Sequence, residues 1–274
     1  FNAMSYEVLA RKYRPSCFEE VIGQEHVVRA LVNSIESEKI HQAFIFSGTR
    51  GVGKTTIARI LAKCLNCESK TKPTSVPCNK CSNTIEISAG RSVDFLEIDA
   101  ASNTQVEKIR DLIETVEYKP AKGRYKIFLI DEVHMLSPAS FNALLKTLEE
   151  PPPHVVFIFA TTNPEKIPKT VQSRCLQLSL KTVNEEMLNN HLNKILKKEK
   201  IKHDDESTQL ISKSANGSVR DALTILDQAI AHGNGELNSN EVKKLLGTID
   251  DSLLFELLEG VVDGDGKKVF DKLA

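Results

Sequence analysis

One stretch of this 274-residue chain combines three glycines with a lysine and a threonine at fixed spacing. The segment Gly48-Thr-Arg-Gly-Val-Gly-Lys54-Thr55 matches the phosphate-loop pattern G-x-x-x-x-G-K-[ST]. Glycines let several backbone N–H groups face one phosphate chain, and the following helix N-terminus adds a favourable dipole. The ammonium of Lys54 would reach the β- and γ-phosphates, and the hydroxyl of Thr55 would ligate Mg²⁺. The nucleotide-binding residues expected here are Gly48, Thr49, Arg50, Gly51, Val52, Gly53, Lys54, Thr55 and Thr56.

A pair of carboxylates follows further along the chain. The apolar run Tyr125–Ile130 predicts a buried strand, and Asp131 and Glu132 come directly after it. Downstream of a phosphate loop this arrangement is typical of nucleotide hydrolysis. Asp131 would hold Mg²⁺, and Glu132 would orient or deprotonate the attacking water. His134, two residues later, is expected to be structural.

The cysteines form two C-x2-C pairs, Cys64 with Cys67 and Cys78 with Cys81, separated by ten residues. Four thiolates at this spacing suit a tetrahedral zinc site. The segment between the pairs is polar, so a metal would order what cannot form a core of its own. A closed four-sulfur site has no open position, which predicts a structural role. The alternative is four unrelated thiols, two of them buried at the end of a helix.

The elements that must position these residues alternate between strands and helices. Predicted strands span residues 43–47, 94–99, 125–130, 155–160 and 176–180. Strands alternating with amphipathic helices predict an α/β fold, with a parallel sheet covered on both faces. Thr161-Thr162-Asn163 would follow the fourth strand, at the sheet edge where ligands bind. The basic, aromatic arm Leu9–Pro15 either covers a nucleotide base or packs on the core as an ordinary N-terminal segment.

From about residue 183 the pattern contains only helices, which predicts a small all-helical domain. Its middle helix would begin after Ser218, an expected N-cap. Arg220 in the first turn opposes the helix dipole, and such local conflicts often mark function. The alternative is a solvated arginine paired with Asp221.

Charge and hydropathy restrict the possible functions. With 36 basic and 37 acidic residues, the chain lacks the strongly basic footprint of a nucleic-acid-binding domain. Contact with DNA would use a local surface or an assembly. Six cysteines indicate a reducing compartment, and neither a membrane-length apolar run nor a signal peptide is evident. We therefore expect a cytoplasmic protein without membrane contact.

In combination, the motifs resemble the AAA+ ATPases and, more closely, the gamma/tau family of bacterial DNA polymerase III. The resemblance covers the chain from Met4 to its end. The segments that carry it are Tyr6–Pro15, Gly48–Thr55, Asp131–Leu136, Asn142–Pro151, Ser173-Arg-Cys175 and Gly217–Ala222. The resemblance implies the ATPase motor of a clamp loader, which opens a ring-shaped sliding clamp and closes it around primed DNA. ATP, Mg²⁺ and Zn²⁺ are the implied cofactors. The implied partners are the other clamp-loader subunits, the sliding clamp, primer-template DNA and, through regions outside this sequence, the polymerase core with its nucleotidyltransferase activity.

The resemblance also implies roles for individual residues. Lys54 and Thr55 bind phosphate and Mg²⁺, whereas Asp131 and Glu132 serve hydrolysis. Three further roles carry over by motif: Thr162 takes the sensor-one position, Arg174 that of an arginine finger acting on a neighbouring subunit, and Arg220 that of sensor two.

The family's zinc module has four cysteines, and this chain departs from that pattern at one of them. Three of the four match Cys67, Cys78 and Cys81, while Thr84 stands at the fourth position. Threonine is a poor zinc ligand. Cys64 would supply the missing thiolate from one helical turn before Cys67, or zinc is lost.

The domain organisation expected from these patterns has four parts. Residues 1–3 before Met4 are interpreted as a tag remnant, 4–182 as the ATPase domain with a zinc insertion at 64–91, 183–247 as a helical lid, and 248–274 as the start of a truncated oligomerisation collar. Two other functions compete with the motor. One is a zinc-containing scaffold that binds ATP without turnover, which the intact Glu132 disfavours. The other is a different oligomeric AAA+ DNA motor, such as a branch-migration helicase, which the cysteine insertion disfavours.

Overall fold

A computed structural model describes residues 7–102 and 105–247, together with Val262. The expected tag remnant and, apart from Val262, the expected collar segment lie outside the described residues. The strands are β1 (Ala43–Ser47), β2 (Phe95–Asp99), β3 (Lys126–Asp131), β4 (Val155–Thr161) and β5 (Leu176–Ser179). They form one parallel sheet in the order β2-β3-β4-β1-β5. This confirms the predicted parallel α/β fold, with strand limits within one residue of those predicted.

Helices cover the sheet and continue beyond it. In the first part of the chain they are α1 (Leu9–Lys12), α2 (Glu25–Glu36), α3 (Lys54–Asn66), α4 (Ser82–Ser88), α5 (Gln105–Val116), α6 (Pro138–Glu149) and α7 (Lys169–Gln172). In the second part they are α8 (Glu185–Glu199), α9 (Asp205–Ser214), α10 (Val219–His232) and α11 (Ser239–Leu246). Short 3-10 turns span Phe18–Glu20, Val133–Met135 and Pro164–Lys166. None of the helices in the described residues is both long and apolar enough to span a membrane.

The sheet separates two hydrophobic cores. Successive residues of a strand point to opposite faces, so Phe44 and Phe46 of β1 enter one core and Ile45 enters the other. All residues of β1 and β4 are buried, which explains why both strands are nearly continuous apolar runs. The strand order makes β3, β4 and β1 neighbours. Because the strands are parallel, the loops after their carboxyl ends meet at one edge of the sheet.

Helices α8 to α11 enclose a third core, which includes Leu192, Ile211, Leu226 and Val242. Each of these helices begins after an N-cap residue whose side chain accepts a backbone N–H of the first turn. The N-cap residues of α8 to α11 are Asn184, Asp204, Ser218 and Asn238. Such N-caps each stabilise a helix by about 1 kcal/mol. The N-terminal arm joins this core through Leu9, whose backbone N–H donates to Asp227 Oδ2 at 2.8 Å. The arm therefore packs on the helical part of the chain.

Candidate nucleotide-binding site

A cavity of about 520 Å³ lies where the phosphate loop, the ends of β3 and β4, the N-terminal arm and the start of α10 meet. The sequence-predicted residues that line it are Arg50, Gly51, Val52, Gly53, Lys54, Thr55, Thr56, Asp131, Glu132, Thr162 and Arg220. Ala10, Tyr13, Pro15, Ile22, Val219 and Leu223 also line it. These side chains give the cavity an apolar part, as the interpretation of Leu9–Pro15 as a base-covering arm requires. Arg174 is not among the described residues that line it.

The phosphate loop needs glycine at two positions for different reasons. Gly53, just before α3, has φ +112°, in a region that other residues rarely adopt. Gly51 has φ +79°, and a Cβ there would lie 2.1 Å from Ser218 Oγ. Between them, Val52 is buried in the core beside α3. Val52 therefore anchors the loop in the core, and the start of α10 packs against the loop at Gly51.

Lys54, the first residue of α3, has little solvent contact, with 7% of its surface exposed. Its Nζ donates to the carbonyl oxygens of Gly48 and Thr49, at 2.7 and 2.8 Å. Burial lowers the pKa of Lys54, and the nearby Glu132 and Asp131 oppose that shift. These two carbonyl oxygens thus hold the ammonium group at the loop. A phosphate oxygen can replace them as the acceptor of its hydrogen bonds.

Asp131, at the end of β3, pairs with the threonine of the loop. Thr55 Oγ1 donates to Asp131 Oδ2 at 3.2 Å, and Oδ1 accepts the Glu132 backbone N–H at 2.9 Å. Burial raises the pKa of Asp131, although these hydrogen bonds favour its ionised form. A hydroxyl and a carboxylate side by side offer the oxygen ligands that Mg²⁺ prefers.

Two side chains from different segments approach the Glu132 carboxylate. Its backbone is left-handed, with φ +51°, and Thr162 Oγ1 donates to its Oε2 at 3.1 Å. His134 Nδ1 lies 3.5 Å from the same oxygen. Sequence reasoning assigned His134 no chemical role, because nothing in the motif indicates that its ring turns back toward Glu132.

The start of α10 reaches the phosphate loop. Ser218 Oγ accepts the Asp221 backbone N–H at 3.1 Å, which confirms the predicted N-cap. The Arg220 backbone N–H donates to the Gly51 carbonyl at 3.4 Å, and the Arg220 side chain lines the cavity. This N–H lies in the first turn, where it has no acceptor within the helix.

Arg174 lies away from the cavity, in the turn between α7 and β5. Its guanidinium donates to Glu149 Oε1 at 2.9 Å and to the Thr170 carbonyl at 2.6 Å. About a third of its side chain is exposed. The structure therefore gathers the predicted phosphate, magnesium and hydrolysis residues around one loop, and it places this arginine apart from them.

A cluster of thiols forms a second candidate site. Within the described part of the chain, Cys67, Cys78 and Cys81 have sulfur atoms within 4.8 Å of one another. Thr84 Oγ1 lies 3.2 Å from Cys81 Sγ and 3.9 Å from Cys78 Sγ. Backbone N–H groups of Lys80 and Cys81 donate to Cys78 Sγ at 3.4 and 3.3 Å. These bonds favour the thiolate and lower the pKa of Cys78 to about 6.

The expectation that Cys64 completes this cluster is corrected by the structure. Helix α3 ends at Asn66, and Cys67 has extended backbone, with ψ 127°. Cys64 is not among the described thiols whose sulfur atoms lie within 4.8 Å of one another. Cys64 is fully buried, its thiol donates to the Ser75 carbonyl at 3.6 Å, and burial raises its pKa to about 12.

Two family models match consecutive parts of the chain. Residues 23–184 match the family model described as "DNA polymerase III, delta subunit", and residues 187–235 match "DNA polymerase III clamp loader subunit, ATPase lid domain". The chain is 56% identical to DNA polymerase III subunit tau of Salmonella typhimurium over 97% of its own length and 41% of that protein's. It is 50% identical to subunit gamma of Buchnera aphidicola subsp. Schizaphis graminum, over 97% of the chain and 73% of that protein.

Among solved structures, the RuvB Holliday junction branch migration motor of Thermotoga maritima superposes with a TM-score of 0.63. It shares 18% identity, and the match covers 91% of this chain and 79% of that one. At this identity the likeness concerns the fold alone. The chain spans about two fifths of the length of the tau subunit it matches.

Proposed function

The chain belongs to the gamma/tau family of DNA polymerase III subunits, and on that premise we propose that it is the ATP-hydrolysing motor of a clamp loader. The observation that carries the proposal is that Lys54, Thr55, Asp131, Glu132 and Arg220 all line one cavity. Together these residues supply a phosphate-binding cation, oxygen ligands, a general base and a cation on the lid. ATP turnover would drive the opening of a sliding clamp and its closure around primer-template DNA.

Within the cavity, the chain's own residues divide the chemistry. The loop N–H groups and Lys54 bind the β- and γ-phosphates. Thr55 and Asp131 would hold Mg²⁺, which fits the oxygen pair they form and would neutralise charge on the phosphates. Glu132 orients the attacking water and accepts its proton. Thr162 fixes the carboxylate of Glu132, to which its hydroxyl already donates.

The helical part of the chain senses the nucleotide through its contact with the loop. Arg220 approaches the phosphates from α10, whose first turn donates an N–H to the Gly51 carbonyl. A change at the phosphates would therefore move α10 relative to the sheet. We assign the ATPase domain to residues 4–182 and the lid to residues 183–247. The separate core of α8 to α11 and the lid-domain match at 187–235 support this division.

Arg174 would act on the ATP of a neighbouring subunit. It lies outside its own cavity and remains partly exposed, held by the exposed carboxylate of Glu149. An arginine finger stabilises charge on the transferring phosphoryl group. A finger in trans makes hydrolysis depend on assembly with other clamp-loader subunits. We further propose that the longer protein joins the polymerase core, with its nucleotidyltransferase activity, in the cytoplasm.

The thiol cluster is proposed as a structural Zn²⁺ site. Three sulfur atoms within 4.8 Å fit three corners of a tetrahedron, and the N–H bonds to Cys78 favour the thiolate that binds metal. Thr84 Oγ1 lies beside two of these sulfur atoms, where the family has a fourth thiol. Bound zinc would fix the polar segment between Cys67 and Cys78 next to α4. It would take no part in ATP hydrolysis.

The experiment that tests the motor is the steady-state ATPase rate of the full-length protein assembled with its partner subunits. Primed DNA and a sliding clamp should each be varied. We expect turnover that rises when both are present. ATP binding without turnover would instead favour the non-hydrolysing scaffold. Turnover stimulated by branched DNA but not by the clamp would favour a different AAA+ motor.

A further inference from the structure

His134 is buried against the carboxylate that we propose as the general base. It lies in the 3-10 turn Val133–Met135, directly after Glu132. Only 7% of its side chain is exposed. Its Nδ1 lies 2.8 Å from Thr161 Oγ1 and 3.5 Å from Glu132 Oε2. One ring nitrogen therefore faces both the end of β4 and the catalytic carboxylate.

The partners of Nδ1 indicate which tautomer is present. Thr161 Oγ1 accepts the Asn163 backbone N–H at 3.0 Å, which leaves it a second lone pair for another donor. A bare nitrogen lone pair 3.5 Å from the Glu132 carboxylate would be repelled by it, whereas an N–H would be attracted. The proton therefore belongs on Nδ1, which donates to Thr161 Oγ1 and presents its positive edge to Glu132 Oε2.

Two positive edges then converge on the same carboxylate oxygen, because Thr162 Oγ1 also donates to Glu132 Oε2 at 3.1 Å. The left-handed backbone of Glu132 makes such support necessary. A non-glycine residue in that conformation costs about 1–3 kcal/mol and persists where its surroundings fix it. Thr161 connects this support to the phosphate loop, since its carbonyl accepts the Gly48 N–H at 3.2 Å.

On the basis of the proposed ATPase activity, we propose that His134 is a positioning residue. Together with Thr161, it anchors Oε2 of Glu132, so that Oε1 receives the proton of the attacking water. His134 touches neither the phosphates nor the water in this scheme. The proton moves from water to Glu132, and the water oxygen forms the new bond to the γ-phosphorus as the bond to ADP breaks. The ring nitrogen keeps its own proton throughout.

The test compares His134→Leu with His134→Asn in the full-length protein within the assembled complex. Leucine fills the space without a donor, whereas the asparagine amide keeps an N–H near the Nδ1 position. We expect His134→Leu to lower kcat about 10- to 100-fold, as misplaced catalytic groups do, with the Kd of ATP unchanged. His134→Asn should recover most of this loss. Thr161→Val and Thr161→Ser form a second matched pair, with the same expected order.

A third comparison separates positioning from general damage. Because Glu132→Gln should stop steady-state turnover, this background is compared in a single-turnover assay. There His134→Leu should slow the remaining hydrolysis no further, because its effect acts through that carboxylate. Parallel losses of kcat, ATP affinity and Tm, without rescue by asparagine, would mean that His134 is merely structural. If the wild-type assembly hydrolyses ATP and His134→Leu does so at the same rate, the positioning role is refuted but the proposed ATPase activity is not. A wild-type assembly without turnover refutes the proposed ATPase and this inference together.

Discussion

Replacing Gly51 by alanine should disturb the contact between the phosphate loop and the lid. The new Cβ would lie 2.1 Å from Ser218 Oγ and 3.2 Å from Ser218 Cβ. The backbone at φ +79° adds about 1–2 kcal/mol for a residue with a side chain. The hydroxyl of Ser218 must move aside, which breaks its N-cap bond to Asp221 and costs about 1 kcal/mol. The free energy of unfolding should therefore fall by about 2–3 kcal/mol in total.

A double-mutant cycle separates the two contributions. Ser218→Ala alone should cost about 1 kcal/mol, the value of the N-cap. Added to Gly51→Ala, it should cost nothing further, because the clash has already broken the same bond. The coupling between the two sites is then about 1 kcal/mol. Urea denaturation of this chain measures it, once coincident spectroscopic transitions show two-state unfolding.

Gly53→Ala provides the matched control. Gly53 also has positive φ, but a Cβ at this position would meet no atom of the described residues within 4 Å, apart from its own chain neighbours. Its strain should therefore add to that of Ser218→Ala without coupling. Amide exchange at Arg220, whose N–H donates to the Gly51 carbonyl, should quicken in Gly51→Ala and not in Gly53→Ala. Strict additivity of Gly51→Ala and Ser218→Ala would refute the argument that the lid rests on this glycine.

Three other outcomes are expected. In nucleotide titrations Lys54→Ala should lose ATP binding, whereas Glu132→Gln should bind ATP but stop turnover; a normal steady-state rate in Glu132→Gln would contradict the motor. Arg174→Ala should bind ATP normally and lower the assembly's ATPase rate by about 10³–10⁵. Mixing Arg174→Ala with Glu132→Gln chains should restore part of the activity, and no recovery in confirmed mixed assemblies would indicate a finger acting in cis. Elemental analysis should find zinc lost from Cys78→Ser and retained by Cys64→Ser, and the reverse result would restore Cys64 as a ligand.

The fold and the convergence of the nucleotide site were predictable because both depend on local patterns. β1 and β4 are buried on both faces, so each is a continuous apolar run. The phosphate loop has a fixed sequence between strand and helix. Parallel strands then bring Asp131 and Thr162 to the edge of the sheet that carries Lys54, without any further information from the sequence.

The thiol cluster was not predictable in full, because it depends on contacts made far along the chain. Cys64 and Cys67 have helical spacing, but the Cys64 thiol donates to the Ser75 carbonyl and does not join the cluster. The Arg124 guanidinium donates to the carbonyls of Leu65 and Cys67 at 2.9 and 2.8 Å, which fixes the chain as it leaves the helix. Arg124 is 57 residues from Cys67, so no local pattern indicates this contact. The orientation of His134 was unpredictable for the same reason, since Thr161 belongs to a different strand.

The position of Arg174 connects the fold to the need for assembly. Pairing of β5 with β1 fixes the turn that carries Arg174, yet its guanidinium bonds Glu149 instead of entering the cavity. Lys54 and Arg220, which we propose bind the nucleotide, and Glu132, which we propose orients the water, all line the cavity. Hydrolysis also requires a cation that stabilises the negative charge as it spreads over the phosphoryl oxygens. If that cation comes from a neighbour, an isolated chain binds ATP but turns it over slowly. ATP turnover then occurs only after the subunits have assembled. A clamp loader needs this property to couple ATP hydrolysis to the opening of a ring-shaped clamp.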